Sequence, residues 1–257
     1  MRVMVCGGGE LGTATAHRLS RAGLEVVVRE IARPTAVCRA ICAAFAVYEG
    51  TALVDGIRFE RADGVLQAED ILARRVVPVM AAPSPAMVER LRPLVLVDAV
   101  QPRSPRRLFA RDEASLTLAL GPGRVAGRDV RAVVVTAPLF ALGAVLEEGE
   151  ASDAPAAGSA FHPVHLVTAP ARGIFVAHTR IGEAVVEGQT LGIVGQYPLV
   201  CPRAGYVRGL LADGIEAVGG RPVAELAASE AECFTISGWA RAVAGGVLEA
   251  VLRLSTA

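Results

Sequence analysis

The most constraining feature of this chain lies at its N-terminus, where an apolar run passes straight into a cluster of glycines. Val3-Met4-Val5-Cys6 is followed at once by Gly7-Gly8-Gly9-Glu10-Leu11-Gly12. A short unbroken apolar run reads as a parallel strand covered on both faces. Beyond the glycines, Leu11, Ala14, Thr15 and Leu19 recur at helical spacing as far as Gly23. Residues 24–28 read as a second strand, and Glu30 stands just past its end. Strand, glycine turn, helix and strand, with an acid about twenty residues beyond the turn, make a βαβ unit of the Rossmann type.

Each position has a physical reason. Gly7 permits the tight turn, Gly9 lets the backbone approach a pyrophosphate, and Gly12 lets helix and strand pack closely. The helix N-terminus offers unpaired N–H groups and a positive dipole end to phosphates. Glu30 can accept from a ribose diol, which favours NAD over NADP, while Arg29 beside it leaves the phosphorylated cofactor open. Glu10 lies inside the loop, where a carboxylate turned inward would oppose a pyrophosphate. An adenosine ligand without that charge, such as S-adenosylmethionine, therefore stays open, as does a tight turn with no ligand.

Composition excludes several chemistries. The chain contains no lysine, which rules out a Schiff base, a pyridoxal-phosphate attachment, a Walker lysine and a biotinyl or lipoyl lysine; it has no asparagine either. Its 257 residues are 53% hydrophobic and carry zero net charge, so no nucleic-acid or membrane-surface partner is expected. No apolar run reaches the roughly 18 residues of a membrane span, and the N-terminus lacks a signal-peptide layout. Five scattered cysteines fit reduced thiols in the cytoplasm. Cys38 and Cys42 are one helical turn apart, the spacing of half a metal site; no second pair accompanies them, so buried thiols and no metal are expected.

Further strands are expected at residues 52–59, 76–80 and 94–97. Asp98 then stands at a strand's C-terminal end, where open α/β sheets bind ligands, or it only caps the next segment. Residues 116–120 and 132–135 read as two more strands. Between them lie Gly121, Gly123, Gly127 and Asp129 with Arg124 and Arg128. Such a loop can cradle an anion or serve as a long hairpin connection. Residues 147–158 read as a linker.

From about residue 168 the chain repeats itself. Gly173, Gly182 and Gly188 recur as Gly205, Gly214 and Gly220, each 32 residues on (205 − 173, 214 − 182, 220 − 188). Half of such a repeat cannot bury its own apolar face, so the halves should interlock. The phrase from Ile181 to Gly192 resembles the barrel-sandwich hybrid of biotinyl and lipoyl domains. The hairpin that carries their lysine would correspond to residues 196–202, which hold none. A final helix is expected over residues 238–254, capped by Ser237. Gly245-Gly246 inside it calls for a break or the close approach of another backbone or a ligand. The fold expected is α/β: a Rossmann-like doubly wound sheet over residues 1–150, a linker at 151–162, a barrel-sandwich-like β module at 163–228, and a helical segment at 229–257 docking back on the first domain.

Several blocks together resemble a known family. They are the glycine turn, Arg39 with Ala46-Val47-Tyr48-Glu49-Gly50, Val97-Asp98-Ala99, Leu120-Gly121-Pro122-Gly123, Ala126-Gly127-Arg128-Asp129, Phe234-Thr235-Ile236-Ser237 and Gly245-Gly246-Val247-Leu248-Glu249-Ala250. The chain is similar across nearly its whole length to the YqeB-type accessory proteins of selenium-dependent molybdenum hydroxylases, as a divergent member. The resemblance implies maturation or cofactor handling for a hydroxylase of the xanthine dehydrogenase type. It adds Arg39 to a cofactor-binding set of Gly7, Gly9, Glu10, Leu11, Gly12, Glu30, Asp98, Gly121, Gly123, Gly127 and Asp129. It also adds a molybdopterin-type cofactor to NAD or another adenine nucleotide as ligand. Two other readings stay open: an NAD-dependent oxidoreductase, although no compact His, Tyr or Lys constellation is evident, and a nucleotide-gated interaction module without catalysis. No catalytic residue is assigned.

Overall fold

The computed structural model describes residues 1–100, 108–152 and 164–255. The chain divides into two compact units. The first takes Met1–Pro34, Ala43–Pro155 and Ile236–Ala257, and the second takes Thr35–Cys42 and Ala156–Thr235.

The first unit is built on a sheet of nine strands among the described residues. In chain order its elements are β1 (Arg2–Cys6), α1 (Glu10–Arg21), β2 (Glu25–Glu30), α2 (Ala46–Glu49), β3 (Thr51–Val54), β4 (Ile57–Ala62), α3 (Val65–Ala73) and β5 (Val77–Ala81). There follow α4 (Pro85–Leu91), β6 (Val95–Asp98), β7 (Leu116–Leu120), β8 (Val125–Ala126), β9 (Ala132–Val134), β10 (Val145–Leu146) and β11 (Gly149–Glu150). The strand order is β10-β9-β7-β6-β1-β2-β5-β4-β3. Every neighbouring pair from β9 to β4 is parallel, and the edges β10 and β3 are antiparallel. Met4, Val27, Met80 and Leu96 cluster with Ala68 and Ile71 of α3 and Val88 and Leu91 of α4. Val3 and Val5, alternating with Met4, are buried on the opposite face. No helix among the described residues is long and apolar enough to cross a membrane.

The structure corrects two readings of the sequence. Residues 52–59 are not one strand: Asp55 and Gly56 both adopt positive φ (45° and 81°) and close a two-residue hairpin between β3 and β4. The loop after β7 is not a hairpin either, since β7 and β9 run parallel, with Leu118 opposite Ala132 and Leu120 opposite Val134. The stretch read as a linker starts inside this unit, where β11 pairs with β8 and Ala151 is buried. Its later part, residues 153–162, lies outside the described residues.

In the second unit, Thr35–Cys42 joins β12 (His165–Thr168), β13 (Gly173–Ala177), β14 (Ala184–Val185), β15 (Thr190–Val194), β16 (Tyr197–Val200), β17 (Gly205–Leu210), β18 (Glu216–Ala217), β19 (Pro222–Ala227) and α5 (Glu230–Cys233). The sequence repeat reappears as strands: β12 to β15 begin 32 residues before β16 to β19 (197 − 165, 205 − 173, 216 − 184, 222 − 190). The strands form two sheets, β16-β15-β13-β18 and β12-β19-β17-β14. Each sheet borrows strands from both halves. Gly173 pairs with Ala217, and the shifted pair is Gly205 with Val185. Leu199 pairs with Gly192, and the shifted pair is Val167 with Ala224. The halves interlock as the repeat required.

One irregularity breaks this symmetry. β17 bulges between Val207 and Gly209 where β13 runs regularly. Arg208 at the bulge is 2% exposed, whereas Val176, its counterpart in the other half, is 42% exposed. Arg208 is paired with Glu225 at 2.7 Å and donates to the Glu232 carbonyl of α5. The residue 32 before Glu225 is Ile193. A buried ion pair thus stands where the first half has two apolar side chains.

The last helix, α6 (Gly238–Leu254), belongs to the first unit and packs along α1. Ser237 caps it, its hydroxyl accepting from the Ala240 amide at 3.1 Å. The helix runs unbroken through Gly245-Gly246. A Cβ on Gly246 would collide with the Gly143 carbonyl, so this glycine answers a close backbone approach; one on Gly245 would meet nothing within 4 Å. Packing by α6 also explains why α1 buries Leu11, Gly12, Thr13, Ala14, Thr15, Ala16, His17 and Leu19, more than a single amphipathic stripe.

Candidate functional site

β1 and β2 lie side by side and end together, with Cys6 opposite Arg29. Gly7 turns the chain off β1 with φ 99°. Its amide donates to the Arg29 carbonyl at 2.8 Å, which ties the turn to the neighbouring strand. Gly12 sits so close to Gly7 that any Cβ there would strike the Gly7 carbonyl oxygen. Gly8 is equally confined, since its Cβ would lie 2.8 Å from the Ala44 amide nitrogen.

A small clamp holds the turn from the other side. The Ala44 amide donates to the Gly8 carbonyl at 2.9 Å, and the Ala43 amide to the Thr13 hydroxyl at 2.8 Å. Thr13 in turn donates to the carbonyls of Gly8 and Gly9. Neither Thr13 nor Ala43-Ala44 was singled out from the sequence. Thr13 looks like any small polar helix residue, and two alanines carry no local signal.

Gly9 differs from its neighbours. It is the N-cap of α1 with φ −67°, a conformation open to any residue, and a Cβ on it would meet nothing within 4 Å. The fold does not need glycine there. The first donor of the helical ladder is the Thr13 amide, which bonds the Gly9 carbonyl. The amides of Gly9, Leu11 and Gly12 therefore lie ahead of the ladder at the positive end of α1. Leu11 turns its side chain into the core. Glu10 is turned away from the loop: its Oε1 accepts from the Ser237 amide at 3.0 Å, at the start of α6.

Glu30 is bound into the turn itself. Its Oε2 accepts from the Gly8 amide at 2.6 Å and its Oε1 from the Ile31 amide at 2.7 Å. Burial pushes its carboxyl above the usual range, and the two amide donors oppose that rise. Beneath the turn, burial pushes the Cys6 thiol up to about 12, against the opposing pull of Arg29. Cys6 is thus protonated at neutral pH and unsuited to nucleophilic work.

Asp98 ends β6, the strand on the other side of β1. Its Oδ1 accepts from the Val100 amide, and its Oδ2 stands 3.5 Å from Nε of Arg124, both side chains being buried. The loop after β7 is thereby tied to the strand end next to the glycine turn. Gly121, Gly123 and Gly127 all take positive φ (71°, 87° and 81°). Their amides are engaged within the unit, by the Val134 carbonyl, Glu150 and the Val130 carbonyl respectively. Asp129 accepts from the Val125 amide and pairs with Arg128 at 2.9 Å. Arg39 belongs to the second unit, where its Nε donates to the Leu210 carbonyl at 2.7 Å. No cluster of three or more metal-ligating side chains occurs among the described residues.

Fold and turn together define an α/β protein with a glycine-rich strand–helix turn at the C-terminal ends of a largely parallel sheet. The chain is a relative of YqeB, as its motifs led us to expect. It is 34% identical over 258 aligned residues to the uncharacterized protein YqeB of Escherichia coli (strain K12). The match takes in 98% of this chain and 47% of that protein, so the chain spans about half the length of its relative. No family model matches the chain. Among solved structures, 32% of the chain overlays 8% of a urea carboxylase from Kluyveromyces lactis at 18% identity and a TM-score of 0.24. A succinylglutamate desuccinylase/aspartoacylase from Rhodobacter sphaeroides matches 88% of this chain and 85% of its own at 14% identity and a TM-score of 0.27. Likenesses this slight support no inference.

Proposed function

We propose that the chain is an accessory protein that holds a nucleotide, or a pterin nucleotide, on the glycine turn, in the service of a molybdenum hydroxylase of the xanthine dehydrogenase type. The observation that carries the binding reading is Gly9. Glycine there answers neither a backbone angle nor a neighbour, and it lies at the open, positive end of α1, where a diphosphate would approach the backbone. In this reading the first unit is a Rossmann-type domain. Support comes from the order β5-β2-β1-β6-β7, which reverses direction at β1, beside the turn. Glu30 fits an adenine ribose: a carboxylate offers about four lone-pair positions, and two amides leave the others for a diol. In the same reading the Asp98–Arg124 pair, at the end of the strand beside β1, borders the site, with Gly121, Gly123, Gly127 and Asp129 holding the loop that carries Arg124.

The second unit, in the same reading, is a barrel-sandwich hybrid without its carrier chemistry. Gly195-Gln196 makes the tight turn between β15 and β16, at the junction of the two halves, with glutamine where a swinging arm would need lysine. Cys201 is buried and its thiol faces the Arg203 carbonyl, which does not suit a carrier. The resemblance of the sequence motifs to the YqeB-type accessory proteins supports the molybdenum hydroxylase setting, and the odd number of scattered cysteines fits the cytoplasm.

Gly9→Asp tests the nucleotide reading directly. Aspartate is a good N-cap, so the fold should hold, while its charge and bulk occupy the phosphate position. Native mass spectrometry with NAD, S-adenosylmethionine and cytidine nucleotides should show one bound species on the wild type, lost in the variant at unchanged thermal midpoint. Binding that survives Gly9→Asp, or no binding of any nucleotide to the wild type, overturns the reading.

A further inference from the structure

We propose that Cys38 and Cys42 form a reversible disulfide site, oxidised by small-molecule disulfides of the glutathione class. All five cysteines are free thiols. Cys6, Cys201 and Cys233 are each set against other groups: Arg29, the Arg203 carbonyl and the Ser229 carbonyl. Only Cys38 and Cys42 turn sulfur toward sulfur, with Sγ atoms 2.8 Å apart. The turn between them is a single 3-10 turn, Arg39–Ile41, held by the Ile41 amide on the Cys38 carbonyl and the Cys42 amide on the Arg39 carbonyl. It is fastened to β17 on both sides of Leu210, whose amide donates to the Val37 carbonyl and whose carbonyl accepts from Arg39. The backbone that presents the two thiols is thus held by its own hydrogen bonds before any bond forms, and closure has to draw the sulfurs in from 2.8 Å to bonding distance. A metal would need further ligands, and no cluster of three or more ligating groups exists among the described residues.

Burial sets the order of events. Cys38 is 7% exposed and Cys42 is fully buried, so a reagent from solvent meets Cys38 first. The Cys38 sulfur attacks the reagent's disulfide, forming a mixed disulfide and releasing one small thiol, which carries away the Cys38 proton. The Cys42 sulfur then attacks the Cys38 sulfur, forming the internal bond and releasing the second small thiol with the Cys42 proton. Two electrons pass from the protein thiols to the reagent, which leaves as two thiols. The site stands independently of the nucleotide reading.

The full chain is incubated with glutathione disulfide, alkylated in denaturant and digested with trypsin. Arg39 lies between the two cysteines, so cleavage leaves them on separate peptides that stay joined only if the bond has formed. We expect two of the five thiols to escape alkylation, the two peptides to appear linked and lighter by two hydrogens, and dithiothreitol to restore all five. Cys42→Ser should stop the sequence at a glutathione adduct on Cys38. Should that variant fail to fold, the wild-type peptide map decides alone. Full alkylation of the wild type, a link involving another cysteine, or a glutathione adduct that never closes would overturn the proposal.

Discussion

Two glycines three positions apart show how differently one residue type can be used. Gly12 has no room for a side chain, so Gly12→Ala should cost about 2 kcal/mol, typical of overpacking at a tight contact. Urea unfolding measures it, and an unchanged midpoint would mean that the β1–α1 corner relaxes freely. His17 supplies a second residue-scale test. Burial holds its imidazole below the usual value, despite the Asp55 carbonyl 3.2 Å from Nε2. Above about pH 6.5 the group is neutral in both the folded and unfolded chain; below it the unfolded chain takes up a proton first. Stability should therefore fall as pH drops through 6.5 toward the lowered folded value. His17→Gln should flatten that part of a urea-midpoint profile, and an equal loss in both proteins would remove His17 as the cause.

At the scale of elements, α6 offers a paired experiment. Helix propensity alone makes each Gly→Ala change worth about 1 kcal/mol. Gly245→Ala should raise the thermal midpoint, since its Cβ meets nothing, while Gly246→Ala should lower it by striking the Gly143 carbonyl. If both moved upward, the contact would not be tight. The interlocked sheets offer another pair. Glu225→Ile alone leaves Arg208 buried without its carboxylate, at a cost of about 3–5 kcal/mol. Adding Arg208→Val copies the first half's Ile193 and Val176, and should recover much of that loss in denaturant unfolding. Purely additive losses would deny the coupling.

What could be read beforehand follows from the range of each interaction. The βαβ unit and the Ser237 cap are written in local spacing and the 32-residue period in recurring glycines, and the structure holds the strand, turn and helix that such patterns imply. The Asp55-Gly56 turn was missed because apolar residues flank it on both sides and hide the break. The parallel pairing of β7 with β9 was missed because a loop of glycines and charges looks alike whichever way the chain re-enters the sheet. Around the turn, the places of Gly7, Gly9, Gly12 and Glu30 relative to β1, α1 and β2 were legible from spacing. The Ala43-Ala44 clamp and the Asp98–Arg124 pair were not, because each depends on residues far apart in sequence.

For the whole molecule, the units are discontinuous in sequence. The second needs Thr35–Cys42, whose Val37 carbonyl takes the Leu210 amide and whose backbone closes over Gly209. A peptide of residues 164–235 should accordingly exchange its Leu210 amide faster than the intact chain does. Hydrogen exchange with mass spectrometry measures this, and equal protection would show that the early segment is dispensable.

The 32-residue register carries a last consequence. Each half presents one edge that receives its image and one that is received by it, as Gly173 with Ala217 and Gly205 with Val185 show. That is the relation between subunits of a twofold dimer. A single half is self-complementary, and the second unit is such a dimer made covalent by the turn at Gly195-Gln196. Because the halves are joined in one chain they need not be identical, and one of them holds Arg208 and Glu225 where the other keeps Val176 and Ile193.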